Sequence, residues 1–413
     1  MHVLYARCAG LDVHKKTVVA CVMLTEPTGE MRKQVRTFAT TTQGLLALAD
    51  WLTEQQVTQV AMESTGIYWR PIFNILEAAF GVVLVNAQHM KAVPGRKTDV
   101  KDAEWLADLL RHGLLKASFI PPQPIRDLRD LVRYRKTLIQ ARSQEINRVQ
   151  KVLETANIKL SSVVSDVMGA SGRSMIQALI TGEQSPEVLA ELAQGSLHKK
   201  IPQLREALLG RVDAHHQILL SHLLAHISFL DQTIFQLFFQ IQRSLAPFEE
   251  AVELLVSIPG VAAETAACIL GEIGVDMACF PSAAHLASWA GVCPGNRESA
   301  GKRLSGQTTK GNKRLKAALA EVVWVVSHTK DNYLSAQYHR LARRLGKPKA
   351  VIAVSHSLLV IIYHMLRDKQ PYRDLGADFF EAREKERVLK SALRRLEGLG
   401  YTVTLQSHQE VSA

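Results

Sequence analysis

Apolar residues in the first 120 positions come in short runs separated by charges and turns. LYARCAGLDV (4–13) ends in a charge, KTVVACVML (16–24) follows at once, and EMRKQVRTFAT (30–40) alternates after the turn EPTGE. Such runs predict three strands on short connections, hence antiparallel. TTQGLLALADWLTEQ (41–55) then carries apolar residues at 45, 46, 48, 51 and 52, a helical stripe. VTQVAME (57–63) predicts a strand, GIYWRPIFNILEAAF (66–80) a helix with an early proline, and GVVLVNA (81–87) another buried strand. A last helix contains WLADLL. Three antiparallel strands feeding a βαβα run is the topology of the ribonuclease H fold.

From about 125 to 245 the strand patterns stop. RDLRDLVRYRKTLIQARSQEINRVQKVLE (126–154) has no Gly or Pro and places apolar residues at 128, 131, 138, 146, 149 and 153. That spacing predicts one long helix. Its outer face is basic and includes Arg133 and Arg142. DAHHQILLSHLLAHISFLDQTIFQLFFQIQRSL (213–245) predicts a second, strongly apolar helix, antiparallel to the first. The pair suits a dimerising coiled-coil arm or an intramolecular bundle equally well. AVELLVSIPGVAAETAACILGEIG (251–274) reads as helix, Ile-Pro-Gly turn, helix. A helix-hairpin-helix of this kind would offer backbone N–H groups around Gly260 to a DNA phosphate. Apolar helices follow at 312–329 and 349–368, and beyond Pro371 the chain is charged and helical. The expected divisions are 1–122, 123–248, 249–370 and 371–413.

Charge narrows the class. Lys and Arg exceed Asp and Glu by enough to give a formal net charge of +11, which points to a polyanion such as nucleic acid. The five cysteines are scattered without a CxxC pair, so a disulfide or zinc framework is not expected. MHVLYARCAG is no signal peptide, and 350–366 is short and His-rich for a membrane span. These features predict a soluble cytoplasmic protein that does not use a membrane.

Candidate chemistry lies in four acids and one loop. Asp12 in GLDVHKK and Glu63 in VAMESTG each close an apolar strand. A lone strand-end acid commonly serves a turn. In a ribonuclease H-like sheet, however, these two strands are adjacent and parallel, and their carboxylates would repel unless a divalent cation joined them. Asp99 and Asp102, in GRKTDVKDAEWLADLL, share one face of a helix start. An N-cap with first-turn acids would look the same, and Glu104 and Asp108 are alternative acids on that helix. Four such carboxylates could hold two Mg²⁺ ions for phosphodiester chemistry. Lys15, beside Asp12, could contact a phosphate. The loop GNRESAGKRLSGQTTKGNKR (295–314) has cations at Arg297, Lys302, Arg303, Lys310, Lys313 and Arg314 and one acid, Glu298. Its glycines let backbone N–H groups approach phosphate oxygens, and its field would favour a developing serine alkoxide. Ser299 and Ser305 are the candidate nucleophiles.

The blocks GLDVHK, AMESTGIYW, KTDVKDAEWLADLL, IPGV and GVCPGNRESAGKR…TTKGNKRLK resemble the DEDD transposases of bacterial insertion sequences, the IS-one-ten family, over roughly residues 5–370. ESAGKR resembles the subgroup typified by the element first found in Coxiella. The resemblance implies a RuvC-like N-terminal domain in which Asp12, Glu63, Asp99 and Asp102 bind Mg²⁺. It further implies a helical linker and a C-terminal transposase domain with Ser299 as nucleophile. It also implies double-stranded DNA as substrate, a non-coding guide RNA, and dimers that pair into tetramers, acting at the nucleoid. Two other readings remain open at the level of sequence. One is a RuvC-like junction endonuclease that hydrolyses DNA with water, and the other is a non-enzymatic architectural DNA-binding protein.

Overall fold

The computed structural model describes residues 2–26, 30–64, 66–85, 102–295, 297–299, 302–400 and 402. The chain forms two compact units, Met1–Ile120 and Pro121–Ala413.

In the first unit, β1 (Arg7–Val13), β2 (Thr17–Thr25) and β3 (Met31–Ala39) form an antiparallel meander. α1 (Thr42–Glu54), β4 (Gln59–Glu63), α2 (Trp69–Leu76), β5 (Gly81–Val85) and α3 (Asp102–Arg111) follow. The sheet order is β3-β2-β1-β4-β5, with β4 parallel to both β1 and β5. The expected strands are all present, while the helix predicted from 66 starts later, at Trp69. β1 is central, so its residues are buried on both faces, as its unbroken apolar run requires. On one face Ala9, Leu11 and Val13 pack against α1 and α2 through Leu48, Leu52, Ile72 and Leu76. On the other, Cys8, Cys21 and Ala61 pack against Ala103, Leu106, Ala107 and Leu110 of α3. Burial pushes the Cys8 thiol up to about 12 and the Cys21 thiol up to about 11. Both therefore act as small apolar side chains rather than nucleophiles.

In the second unit, α4 (Gln123–Thr155) leads to four short helices, α5 (Leu160–Val163), α6 (Ala170–Ile180), α7 (Pro186–Glu191) and α8 (Ile201–Ala207). α9 (Ala214–Leu245) then returns along α4. The partners Arg135 with Phe238, Arg142 with Asp231, and Glu145 with His226 run in opposite directions along the two chains, so the long helices are antiparallel, as predicted. The short helices bury Met175, Ile176, Leu189 and Leu204 with Val149, Leu153, Leu220 and Ile227 of the long pair. Phe229, Phe235 and Phe239 of α9 remain exposed.

The chain continues through α10 (Glu249–Val256), α11 (Ala263–Ile273), α12 (Ala283–Ala290), β6 (Arg297–Ser299) and β7 (Lys302–Ser305). α13 (Lys313–Val326), α14 (Tyr333–Leu345), α15 (Lys347–Asp368) and α16 (Phe379–Glu397) complete it. The segments 214–256 and 347–368 are long and apolar enough to cross a membrane by length and composition. In this fold α15 buries Val354, Leu358, Leu359 and Ile362 inside the unit. The charged α16 docks by its first turn, where Phe380 stacks on Tyr333 at 5.0 Å and lies under Arg340.

Candidate active site

The register of β1 against β4 pairs Leu11 with Met62. Continued by one residue, it sets Asp12 beside Glu63 at the C-terminal end of two parallel strands, about 5 Å apart along the backbone. Side chains alternate along a strand. Cys8 and Ala61 face α3, so Asp12 and Glu63, four and two residues on, project from that same face. α3 runs antiparallel to β1. A Cβ at Gly10 would meet the Ala103 carbonyl oxygen at 2.2 Å, and Cys8 Sγ donates to the Ala107 carbonyl at 3.5 Å. The start of α3, which is Asp102, therefore lies over the strand end that carries Asp12. Three of the four predicted acids share one face and one end of the sheet. Asp99 lies outside the described residues.

Asp12 Oδ2 is 3.0 Å from His14 Nε2, and its side chain is 21% exposed. Glu104 accepts from Lys33 Nζ at 3.0 Å, and Asp108 pairs with Arg111 at 3.3 Å. These two alternative acids thus already have cationic partners. Partly exposed carboxylates at one end of the sheet are the oxygen donors a hard divalent cation takes, though the ligand atoms of Asp12, Glu63 and Asp102 do not all lie within 4.8 Å of one another. Among the described residues the group whose ligand atoms all lie within 4.8 Å of one another is Asp213, His215 and His216, not the three acids of the first unit. Helix capping accounts for much of it: Asp213 N–H donates to His216 Nδ1 at 3.2 Å, while the Asp213 carboxylate accepts from the third residue of α9. Arg211 Nε donates to the same carboxylate at 2.9 Å.

In the second unit the Ser/Gly loop forms a β-hairpin. β6 and β7 pair Arg297 with Ser305, Glu298 with Arg303, and Ser299 with Lys302. The register shifts after Arg297, leaving Leu304 as the extra residue of a bulge. Ser299 therefore stands at the tip, next to the connection, and Ser305 lower on the stem. The stem continues through a Pro294–Thr308 bridge and a hydrogen bond from Gly295 N–H to the Gln307 carbonyl at 2.9 Å. At its base two glycines touch: a Cβ on Gly311 would lie 2.4 Å from the Ala290 carbonyl and the Gly291 nitrogen. Lys316 Nζ donates to the Gly291 carbonyl at 3.2 Å.

A buried carboxylate adjoins that base. Glu272, near the end of α11, is 4% exposed. Arg133 Nε and one terminal nitrogen donate to its two oxygens, each at 2.7 Å, and Asn312 Nδ2 donates at 2.6 Å. Arg129 donates to the Gly271 and Glu272 carbonyls at 2.6 and 2.9 Å, capping the helix end. Burial alone would raise the Glu272 carboxyl. The Arg133 and Asn312 hydrogen bonds and the two guanidinium charges outweigh it and hold the group below the usual carboxylate range. The two arginines of α4 predicted to bind nucleic acid are thus engaged: Arg133 by Glu272 and Arg142 by Asp231, so a phosphate would have to share those partners. Gly260 has φ +81° in the α10–α11 turn, against Val326. Lys15, Lys310, Lys313 and Arg314 are exposed, and Arg297, Lys302 and Arg303 lie along the two hairpin strands.

A cavity of about 1060 Å³ opens beside the hairpin stem, lined by Val292, Pro294, Gln307, Lys349, Ile352 and His356 among others. Arg343, Arg344, Lys347 and Lys349 stand exposed near one side of it, and no ion pair among the described residues neutralises them. Sequence reading passed over these four. The signal was RRLGKPK (343–349), a cation run without an acid.

Known families match two stretches of this sequence. A family profile of DEDD transposases of the IS110 type, described as "Transposase", matches residues 9–158. A second, "Transposase IS116/IS110/IS902 family", matches residues 252–339. The chain belongs to the IS110 family of transposases. The "Insertion element IS900 uncharacterized 42 kDa protein" of Mycobacterium paratuberculosis is 28% identical over 74% of this chain and 84% of its own. The "Pilin gene-inverting protein" of Moraxella lacunata is 26% identical over 88% of this chain and 96% of its own. The Moraxella bovis protein of the same name is 31% identical over 41% of this chain and 52% of its own. This IS110-family transposase is accordingly an enzyme of DNA transposition and recombination. The first profile spans Asp12, Glu63, Asp99 and Asp102, and the second spans Ser299 and the helical turn at Gly260.

Proposed function

We infer that this transposase cuts and rejoins insertion-sequence DNA by metal-dependent phosphoryl transfer, with Ser299 as nucleophile. The observation that carries the reading is the placement of Asp12 and Glu63 at adjacent parallel strand ends with the start of α3, Asp102, over the same end. The strand order and connections support a ribonuclease H-like, RuvC-like fold for the N-terminal unit. Asp12, Glu63 and Asp102, with Asp99 as fourth ligand, would hold Mg²⁺, two ions per site, and these would supply charge neutralisation and polarise the scissile phosphate. Lys302 and Arg303 follow Ser299 along the hairpin and would favour a phosphate there. In the reaction the Ser299 Oγ–P bond forms as one backbone P–O bond breaks. The serine proton leaves, and the departing deoxyribose oxygen takes one up. Attack by a strand-end hydroxyl on the phosphoserine reverses these changes on a new partner, so no nucleotide cofactor is consumed.

The Moraxella relatives, named for inverting a pilin gene, support a site-specific recombinase. The exposed phenylalanines of α9 support a homo-oligomer, a dimer that can pair into a tetramer. The ESAGKR block and the family blocks support the Coxiella-type subgroup and a non-coding guide RNA, with the protein working in the cytoplasm at the nucleoid. Sequencing RNA that co-purifies with the protein tests the guide: reads mapping beside the encoding gene are expected, and an RNA-free active protein would refute it.

Asp12→Asn should lower Mg²⁺-dependent cleavage of element-end DNA by roughly 10³-fold or more. It should also weaken Mn²⁺ binding in calorimetry, with DNA affinity preserved. Wild-type metal binding in that variant would show that the carboxylates do not form the metal site. The double variant Arg344→Glu, Lys349→Glu should weaken DNA binding and flatten log K against log salt by about 0.9 per lost phosphate contact. Unchanged salt dependence would remove the 343–349 cations from the DNA interface.

A further inference from the structure

We propose that Glu272 is a positioning residue that, through Asn312, sets the angle at which the 295–311 hairpin presents its tip. The proposal rests on the reading of Ser299 as nucleophile. Three separate segments meet on this one carboxylate: Arg129 and Arg133 from α4, the end of α11, and Asn312. Asn312 is itself the last residue before α13. Its Oδ1 accepts from the N–H groups of Arg314 and Leu315 at 3.0 and 3.1 Å, while its Nδ2 donates to Glu272. One side chain thus starts a helix with its oxygen and ties the exit of the hairpin to a buried charge with its nitrogen. For stability alone, well-packed apolar groups serve at least as well as a buried ion pair. A carboxylate with several directional donors fixes orientation.

Orientation matters here because the hairpin is a lever. From Pro294 to Ser299 the stem spans roughly 17 Å at about 3.3 Å per residue. A tilt of only a few degrees at the base therefore shifts the tip by about 1 Å, a displacement that can slow a positioned reaction roughly 100-fold. The upstream end is closed on the downstream end by the Gly291–Gly311 contact and by Lys316, so a shift at Asn312 moves both strands together.

Glu272→Ala would strand two guanidinium groups and can unfold the unit, so the test is made at Asn312 in the full-length protein. Asn312→Ser keeps an oxygen to cap α13 and removes the donor to Glu272. Asn312→Asp also caps, but sets a second carboxylate against the first. Amide hydrogen exchange is followed on the DNA-free protein, and single-turnover formation of the covalent DNA adduct on the complex. Exchange should rise in the hairpin, at Gly295 and in β6 and β7, while α4 and α11 keep their protection. Adduct formation should slow by roughly 100-fold with unchanged DNA affinity, and Asn312→Asp should be the more severe. Unchanged hairpin exchange, or an equal rise across α4, α11 and α13, would overturn the proposal. Adduct formation that persists in Ser299→Ala would instead overturn the nucleophile, and the exchange comparison would still decide the role of Glu272.

Discussion

Ser299→Ala should abolish the covalent protein–DNA species and strand rejoining while leaving DNA binding intact. The serine oxygen is the atom that would hold the phosphate between cleavage and rejoining, and alanine has nothing to replace it. The residue sits at the tip of a hairpin, opposite Lys302. Removing a nucleophile of this kind costs on the order of 10⁶ in rate where no substitute attacks. The assay is a denaturing gel of protein incubated with labelled element-end DNA and Mg²⁺. Ser305→Ala, lower on the stem and paired with Arg297, should still form the adduct. If Ser299→Ala cuts DNA at the wild-type rate while Asp12→Asn does not, the enzyme hydrolyses with water, and the serine hairpin only grips its substrate.

Gly10→Val should disable the N-terminal unit. Gly10 lies on the central strand where α3 crosses, and an added Cβ would overlap the Ala103 carbonyl oxygen at 2.2 Å and the Ala107 nitrogen at 2.4 Å. Both are backbone atoms of a helix and cannot rotate away, so the whole helix must lift. The cost lies at or above the upper end of the roughly 1–3 kcal/mol seen for overpacking. The lift also carries Asp102 away from Asp12, so metal binding should fall even where the protein stays folded. Thermal melts with and without Mn²⁺ measure both effects. Gly10→Ala should show the same trend in milder form, and a wild-type melt for Gly10→Val would mean that α3 does not pack against β1 this closely.

Much of this was readable from residue patterns. The strands of the first unit are short apolar runs bounded by charges, and a strand-end acid in each of two parallel neighbours is a pattern a sequence displays openly. Asp12 and Glu63 are candidates on that ground, and Asp102 as one of an acid pair at a helix start. The short helices between 160 and 207 were not resolved, because segments of four to eleven residues seldom complete an apolar period. Nothing in ILGEIG singles out Glu272. Its burial depends on Arg129, Arg133 and Asn312, which are distant in the chain. The hairpin was read as a loop, since GNRESAGKRLS has no alternation and its pairing is backbone-driven. Arg133 and Arg142 look like free surface cations in a helical pattern, and only the return of α9 and the end of α11 supplies their carboxylates.

The order of the parts along the chain has a consequence in time. The unit with the three acids is complete at Ile120, whereas β6, the strand that carries Ser299, begins at Arg297. A ribosome adding about 5–20 residues per second needs roughly ten seconds or more to make the stretch between them. During that interval a nascent chain already owns its sheet and its acids but has no serine to offer. On the proposed chemistry, a truncated product of this gene would bind metal without being able to seize DNA covalently. A complete copy would become competent only as its last third leaves the exit tunnel.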